Sequence, residues 1–170
     1  LGTAEMRAGL APLHQPGRGT EMRVAEHQLR ERGISVGATP VNAEFAPGWM
    51  QLGFAVYREL PGLDYQPYPS GTAARQWIET HPHAVFCSLL GRQPLPRHNI
   101  EGRIQRQLAL LEQGLRINDP MDFFDEITRH GILRGEFPLD RIYGPAALDA
   151  LAAAGTAYRA AKTPENILSV

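Results

Sequence analysis

Apolar positions recur along this chain mostly at the three- and four-residue spacing that builds one face of a helix. Thr20 is placed to cap a first helix running to about Arg32, with Met22, Ala25 and Leu29 as a narrow stripe and Gly33 as its terminator. Pro47 opens a second, ending near Leu60, whose Trp49, Leu52, Phe54, Val56, Tyr57 and Leu60 give a broad apolar surface. A third runs from Pro82 to Leu90 and stops at Gly91. Ile104, Leu108, Leu111 and Leu115 follow one another at spacings of four, three and four, which predicts a long helix from Ile100 to about Arg116. Asp119-Pro120-Met121-Asp122 supplies an N-cap, a first-turn proline and an acid, so a further helix is expected from there to Gly131. Gly144-Pro145 opens a last, Ala-rich helix to about Ala161.

Strand patterns are scarce. Residues 75–80 are the best candidate, and residues 34–41 read as a short strand or an extended loop. Residues 1–19 form an irregular opening segment, and 61–71, with three prolines and two glycines, a connection. One strand alone leaves its backbone groups without partners. Either the domain is mostly helical, or its main sheet lies outside this sequence. With 170 residues the chain is long enough for one domain and short for two, so a single domain over 1–170 is expected.

Composition narrows the function classes. A formal net charge of −1 gives no long-range attraction to a polyanion, so nucleic-acid binding would need a local patch. Sixteen of the seventeen basic residues are Arg, which coding bias accounts for as well as selection for phosphate contacts does. Cys87 is the one cysteine and lies in an apolar run, which excludes an internal disulfide and favours a buried, inert thiol. No stretch approaches the ~18 apolar residues of a membrane span, and no signal peptide is visible. A cytoplasmic location is expected.

Few residues carry candidate chemistry. Glu79 ends the apolar run before Pro82, where a sheet would fix its backbone and leave its carboxylate facing a cleft. Favourable interaction with the following helix, ~0.3–1 kcal/mol, is the simpler explanation from position alone. His81 and His83 flank Pro82, but two histidines without a third ligand make a weak zinc site. Cys87 with either histidine is a conceivable dyad, against which the thiol's apolar setting counts. Asp149 is a lone acid in an Ala- and Leu-rich helix, marking either its solvated face or a cleft that binds a cation. Arg103 and Arg106 share a helix face and suit a phosphate or a carboxylate, although an ordinary solvated face is the simpler reading. Asp119, Asp122, Asp125 and Glu126 lack the alternation of a calcium loop. No nucleophile elbow, phosphate loop, dinucleotide fingerprint or HExxH occurs.

Taken in order, these landmarks resemble an uncharacterised family, the domain of unknown function numbered 429, whose members are described as predicted nucleases with a ribonuclease-H-like fold. Thr20, Arg23, Glu26, Leu29, Arg30 and Gly33 resemble its early helix. Glu79-Thr80-His81-Pro82-His83-Ala84 resembles its most recognisable motif. Leu90-Gly91, Pro94-Leu95-Pro96, Gly102-Arg103 with Arg106, and Leu148-Asp149-Ala150-Leu151 follow in the family's order, over residues 19–161.

The resemblance implies an α/β, ribonuclease-H-like fold, helix-dominated here, whose N-terminal strands would precede Leu1. It also implies a nuclease or phosphodiesterase that uses Mg²⁺ or Mn²⁺ to activate water. Glu79 and Asp149 would then be the metal-binding catalytic carboxylates, with Arg103 or Arg106 on the substrate phosphate. The acidic motif that members carry on their first strands is absent from residues 1–19, and Pro145 and Ala146 stand where paired acids often precede the Asp-Ala helix. Two alternatives therefore stay open: a non-catalytic binding or assembly module, including a homo-oligomer, and a hydrolase of small phosphorylated metabolites.

Overall fold

The computed structural model describes residues 23–40 and 43–164. The Thr20 cap and the opening segment lie outside them. Over the described residues the chain is α/β and helix-dominated, with two short parallel strands. It divides into two compact units, Leu1–Ile78 with Leu168–Val170, and Glu79–Ile167.

In the first unit, helix α1 spans Val24–Glu31 and buries Val24, Glu26, His27 and Leu29. Glu26 is a buried acid whose work is structural. Its Oε2 accepts from the Arg23 amide at 3.1 Å and the Thr39 amide at 3.0 Å, and the Thr39 hydroxyl donates to the same carboxylate. Arg30 donates to the Val36 carbonyl through Nε and Nη2, at 3.2 and 2.8 Å. These side chains hold residues 34–40 as an extended loop, so the strand considered there does not form. Gly33 ends α1 as expected, with φ of 75°.

Helix α2, Gly48–Glu59, lies where Pro47 predicted it, yet none of its residues is buried. The strand expected over 75–80 contracts to β2, Gln76–Trp77. Its partner β1, Gln66–Pro67, lies inside the stretch read as a connection. The two pair in parallel, Gln66 opposite Gln76. The Gln66 amide donates to the Arg75 carbonyl at 3.0 Å and the Tyr68 amide to the Trp77 carbonyl at 2.9 Å. Two-residue strands in a Pro-rich setting carry no period for the sequence to show.

In the second unit, α3 (Pro82–Leu90), α4 (Ile100–Glu112) and α7 (Pro145–Lys162) pack around Phe86, Leu110, Leu148 and Ala152. The helix expected to run to Arg116 ends at Glu112. Gly114, with φ of 81°, turns the chain instead, and Leu115 still reaches the core from beyond the helix end. The single helix expected from Asp119 to Gly131 is two: α5, Asp122–Asp125, and α6, Arg129–Arg134. Two caps compete for the segment. Asp119 accepts from the Met121 amide at 2.9 Å, and Thr128 restarts the helix by accepting from Gly131 at 3.0 Å.

Gln107 on α4 is fully buried and ties this unit together. Its Nε2 donates to the Asn118 and Arg141 carbonyls, each at 2.9 Å, and its Oε1 accepts from the Tyr143 amide at 2.8 Å. Arg103, one turn earlier, donates to the Tyr143 and Ile142 carbonyls at 2.8 and 2.6 Å. Together they fix the approach to α7, and hence the position of Asp149 on its second turn.

Candidate functional site

Asp149 follows Leu148, which is completely buried, so its carboxylate leaves the core at the shoulder of α7. The loop joining α3 to α4 comes over this shoulder and brings Arg97 to it. Arg97 Nη2 donates to Asp149 Oδ2 at 2.6 Å, with the two side chains 49% and 29% exposed. The loop is held down by α4. Gly102 admits the Pro96 carbonyl to a place that a Cβ would deny, 2.0 Å from the atom it would carry. Gln105 Oε1 accepts from the Leu95 amide at 2.8 Å, and Arg106 Nη1 donates to the Leu95 carbonyl at 2.7 Å and the Gly102 carbonyl at 2.8 Å.

Arg106 is buried, its guanidinium 5.3 Å from the centre of the Phe86 ring. Burial pushes its pKa down, the nearby Asp149 carboxylate opposes that, and Arg97 adds to it. Arg97, Asp149 and Arg106 are thus one electrostatic group of two guanidiniums and one carboxylate. It holds a net positive charge in a partly desolvated setting.

Beside it lies a second polar group. Cys87 Sγ is 3.7 Å from His83 Nε2 and 3.6 Å from Gln93 Oε1, and His83 Nε2 is 3.1 Å from the same Gln93 oxygen. Burial raises the Cys87 pKa, with Arg106 acting against it. The thiol therefore stays protonated at neutral pH and donates to Gln93, which agrees with an inert cysteine better than with a nucleophilic dyad. His81 caps α3, its Nδ1 accepting from the Ala84 amide at 3.3 Å.

The four residues singled out by sequence thus fall into different settings. Glu79 is exposed, three residues ahead of α3. Asp149 is engaged by Arg97. Arg103 and Arg106 do share a face of α4, but both turn their guanidiniums to backbone carbonyls. The guanidinium with the most open exposure at the centre belongs to Arg97, which the sequence reading did not single out. Its one signal was an Arg between a proline and a helix cap. As placed, Asp149 is engaged by Arg97, and among the described residues no three His, Cys, Asp or Glu side chains gather to hold a metal ion.

Residues 8–168 match the family described as Protein of unknown function (DUF429). The chain belongs to this family. No curated protein and no solved structure matches it. The DUF429 match spans both units, so the Glu79 motif, the Gly102-Arg103 helix and the Asp149 helix all lie within the family's own extent. No helix among the described residues is long and apolar enough to cross a membrane.

Proposed function

We propose that this protein binds a phosphate ester at the Asp149 centre, as a phosphodiesterase or phosphatase would its substrate. The supporting observation is the Arg97–Asp149 pair, with the buried Arg106 guanidinium near enough for its charge to act on the same carboxylate. A phosphate oxygen can replace the carboxylate on Arg97 with the same charge-assisted hydrogen bonding. Arg106 contributes field rather than contact, because its Nη1 is committed to backbone carbonyls. Net charge near zero favours a small phosphorylated substrate over a long polyanion.

The nuclease reading implied by the family resemblance is the finer form of this proposal. It assigns Glu79 and Asp149 to a Mg²⁺ or Mn²⁺ ion and would require Arg97 to leave Asp149. The test is hydrolysis of a bis-aryl phosphate, an aryl monophosphate and a labelled oligonucleotide, with Mg²⁺, with Mn²⁺ and with chelator. Parallel calorimetry measures binding of inorganic phosphate to the wild type and to Arg97→Gln. Phosphate binding that Arg97→Gln abolishes supports the anion centre. Equal binding by both proteins, or none by either, sinks it. Metal-dependent turnover that Glu79→Gln and Asp149→Asn each reduce at least ~100-fold, the scale of lost catalytic groups, supports the nuclease form. A non-catalytic assembly role is the second reading, favoured by the unburied face of α2.

A further inference from the structure

His83 and Cys87 stand four residues apart on α3, so both side chains leave the same face of the helix. One turn between two metal-ligating groups is the spacing by which a helix contributes a pair of ligands to zinc. The chain then turns at Gly91, and the loop that follows returns Gln93 to this face. Two residues further on the loop is fastened, the Leu95 amide donating to Gln105 and the Leu95 carbonyl accepting from Arg106. Gln93 is therefore carried on an anchored stretch. His81, the other histidine at this end of α3, serves as its cap, with Nδ1 on the Ala84 amide.

An imidazole nitrogen, a sulfur and an amide oxygen converge here. His83 Nε2, Cys87 Sγ and Gln93 Oε1 form a triangle, 3.7 Å from nitrogen to sulfur, 3.6 Å from sulfur to oxygen and 3.1 Å from oxygen to nitrogen. Hydrogen bonds to the Gln93 oxygen account for two of these sides. They do not account for the third, because the lone-pair directions of a carbonyl oxygen diverge and two donors sharing it gain nothing by closing on each other. One cation held by all three atoms does account for it. Bonds of ~2.0–2.3 Å to nitrogen, oxygen and sulfur in a tetrahedron hold the donor atoms roughly 3.3–3.6 Å apart. The donor set also selects the ion, since sulfur and imidazole suit zinc, whereas Mg²⁺ takes oxygens. Cys87 is buried, His83 half-buried and Gln93 exposed, so an ion reaches the three from the solvent side. A protonated thiol is no obstacle, because a coordinating thiol gives up its proton outright.

We propose that His83 Nε2, Cys87 Sγ and Gln93 Oε1 form a site for Zn²⁺, with water in the fourth position. On binding, the S–H bond breaks, a sulfur–zinc bond forms and the proton passes to solvent. The site is independent of the phosphate chemistry at Asp149, and its test reads metal, not anion binding. Co²⁺ serves as the coloured probe. Titration of the reduced full chain is expected to saturate at one Co²⁺ per chain, with a thiolate-to-metal charge-transfer band in the near ultraviolet that Zn²⁺ then displaces. Cys87 is the one cysteine of the chain, so the band reports this site alone. Competition with a chromophoric chelator gives the Zn²⁺ affinity. Cys87→Ser and His83→Ala are each expected to lower it at least ~100-fold and Gln93→Ala about tenfold, against the 10–100-fold cost of disturbing a metal site's outer shell. His130→Ala, which removes an exposed histidine from α6, should leave it unchanged. Far-UV circular dichroism shows that each variant is folded. Absence of the band at saturating Co²⁺ overturns the proposal. So does a Zn²⁺ affinity that any of the three ligand substitutions leaves unchanged, or that His130→Ala lowers as much as they do.

Discussion

The Pro96 carbonyl oxygen occupies the space in which a side chain on Gly102 would begin, 2.0 Å from the position of its Cβ. Gly102→Ala sets two effects against each other. Alanine favours the helix by about 1 kcal/mol, while overpacking against backbone costs about 1–3 kcal/mol and more where nothing flexible can yield. The clash wins here, because the opposing atoms are the main chain of Pro96 and Leu95. Urea unfolding is expected to show net destabilisation. A variant more stable than the wild type would mean the loop is not seated by this contact.

Asp149→Asn should separate stability from binding. The Arg97–Asp149 pair is partly exposed, so its loss is expected to cost no more than about 1 kcal/mol. Freed from its carboxylate, Arg97 should take inorganic phosphate about tenfold more tightly, the equivalent of ~1.4 kcal/mol. Calorimetry showing unchanged or weaker affinity would contradict the exchange of carboxylate for phosphate.

Gln107→Leu keeps most of the side-chain volume and removes all three hydrogen bonds. It strands the Tyr143 amide and takes a donor from the Asn118 and Arg141 carbonyls. The expected loss is roughly 3 kcal/mol. A loss under about 0.5 kcal/mol, the range of inconsequential surface changes, would show that water takes over the amide's contacts.

Leu148→Ala empties a fully buried core position beside Phe86 and Leu110. Its cost should fall within the 2–5 kcal/mol of such truncations, read as a lowered midpoint in thermal unfolding.

Burial raises the Cys87 pKa above the ordinary thiol value of 9.0. The folded chain then holds the proton more tightly than the unfolded one. The linked stability is fully present below the unfolded thiol's pKa and is lost as pH climbs through it toward the folded value. Unfolding free energies of wild type and Cys87→Ser should diverge only at alkaline pH, the wild type falling faster. Equal slopes for the two proteins would place the thiol in contact with solvent.

The parts of the fold visible in the sequence were those with a local chemical cause. Pro82 and Gly91 bound α3 at both ends, and Gly144-Pro145 opened α7. Where two local causes competed, as Asp119 and Thr128 did, the sequence alone did not say that the helix would break. The pairing of β1 with β2 rests on two residues each and leaves no periodic trace. At the site, Asp149 was legible as an acid out of place among alanines. Arg97 was not, because it meets Asp149 across 52 residues from a loop without a pattern. Gln107 had a signal that went unused: it falls on the apolar stripe with Ile104, Leu108 and Leu111, where an amide must find buried partners.

Gln107 also bears on the order in which the chain assembles. Its bonds reach 11, 34 and 36 residues along the sequence, to segments that only meet once everything between α4 and α7 has been laid down. Contacts of such separation demand loop-closure entropy before they return any stability. The amide is therefore expected to close the second unit late, so that its removal should hasten unfolding far more than it slows folding.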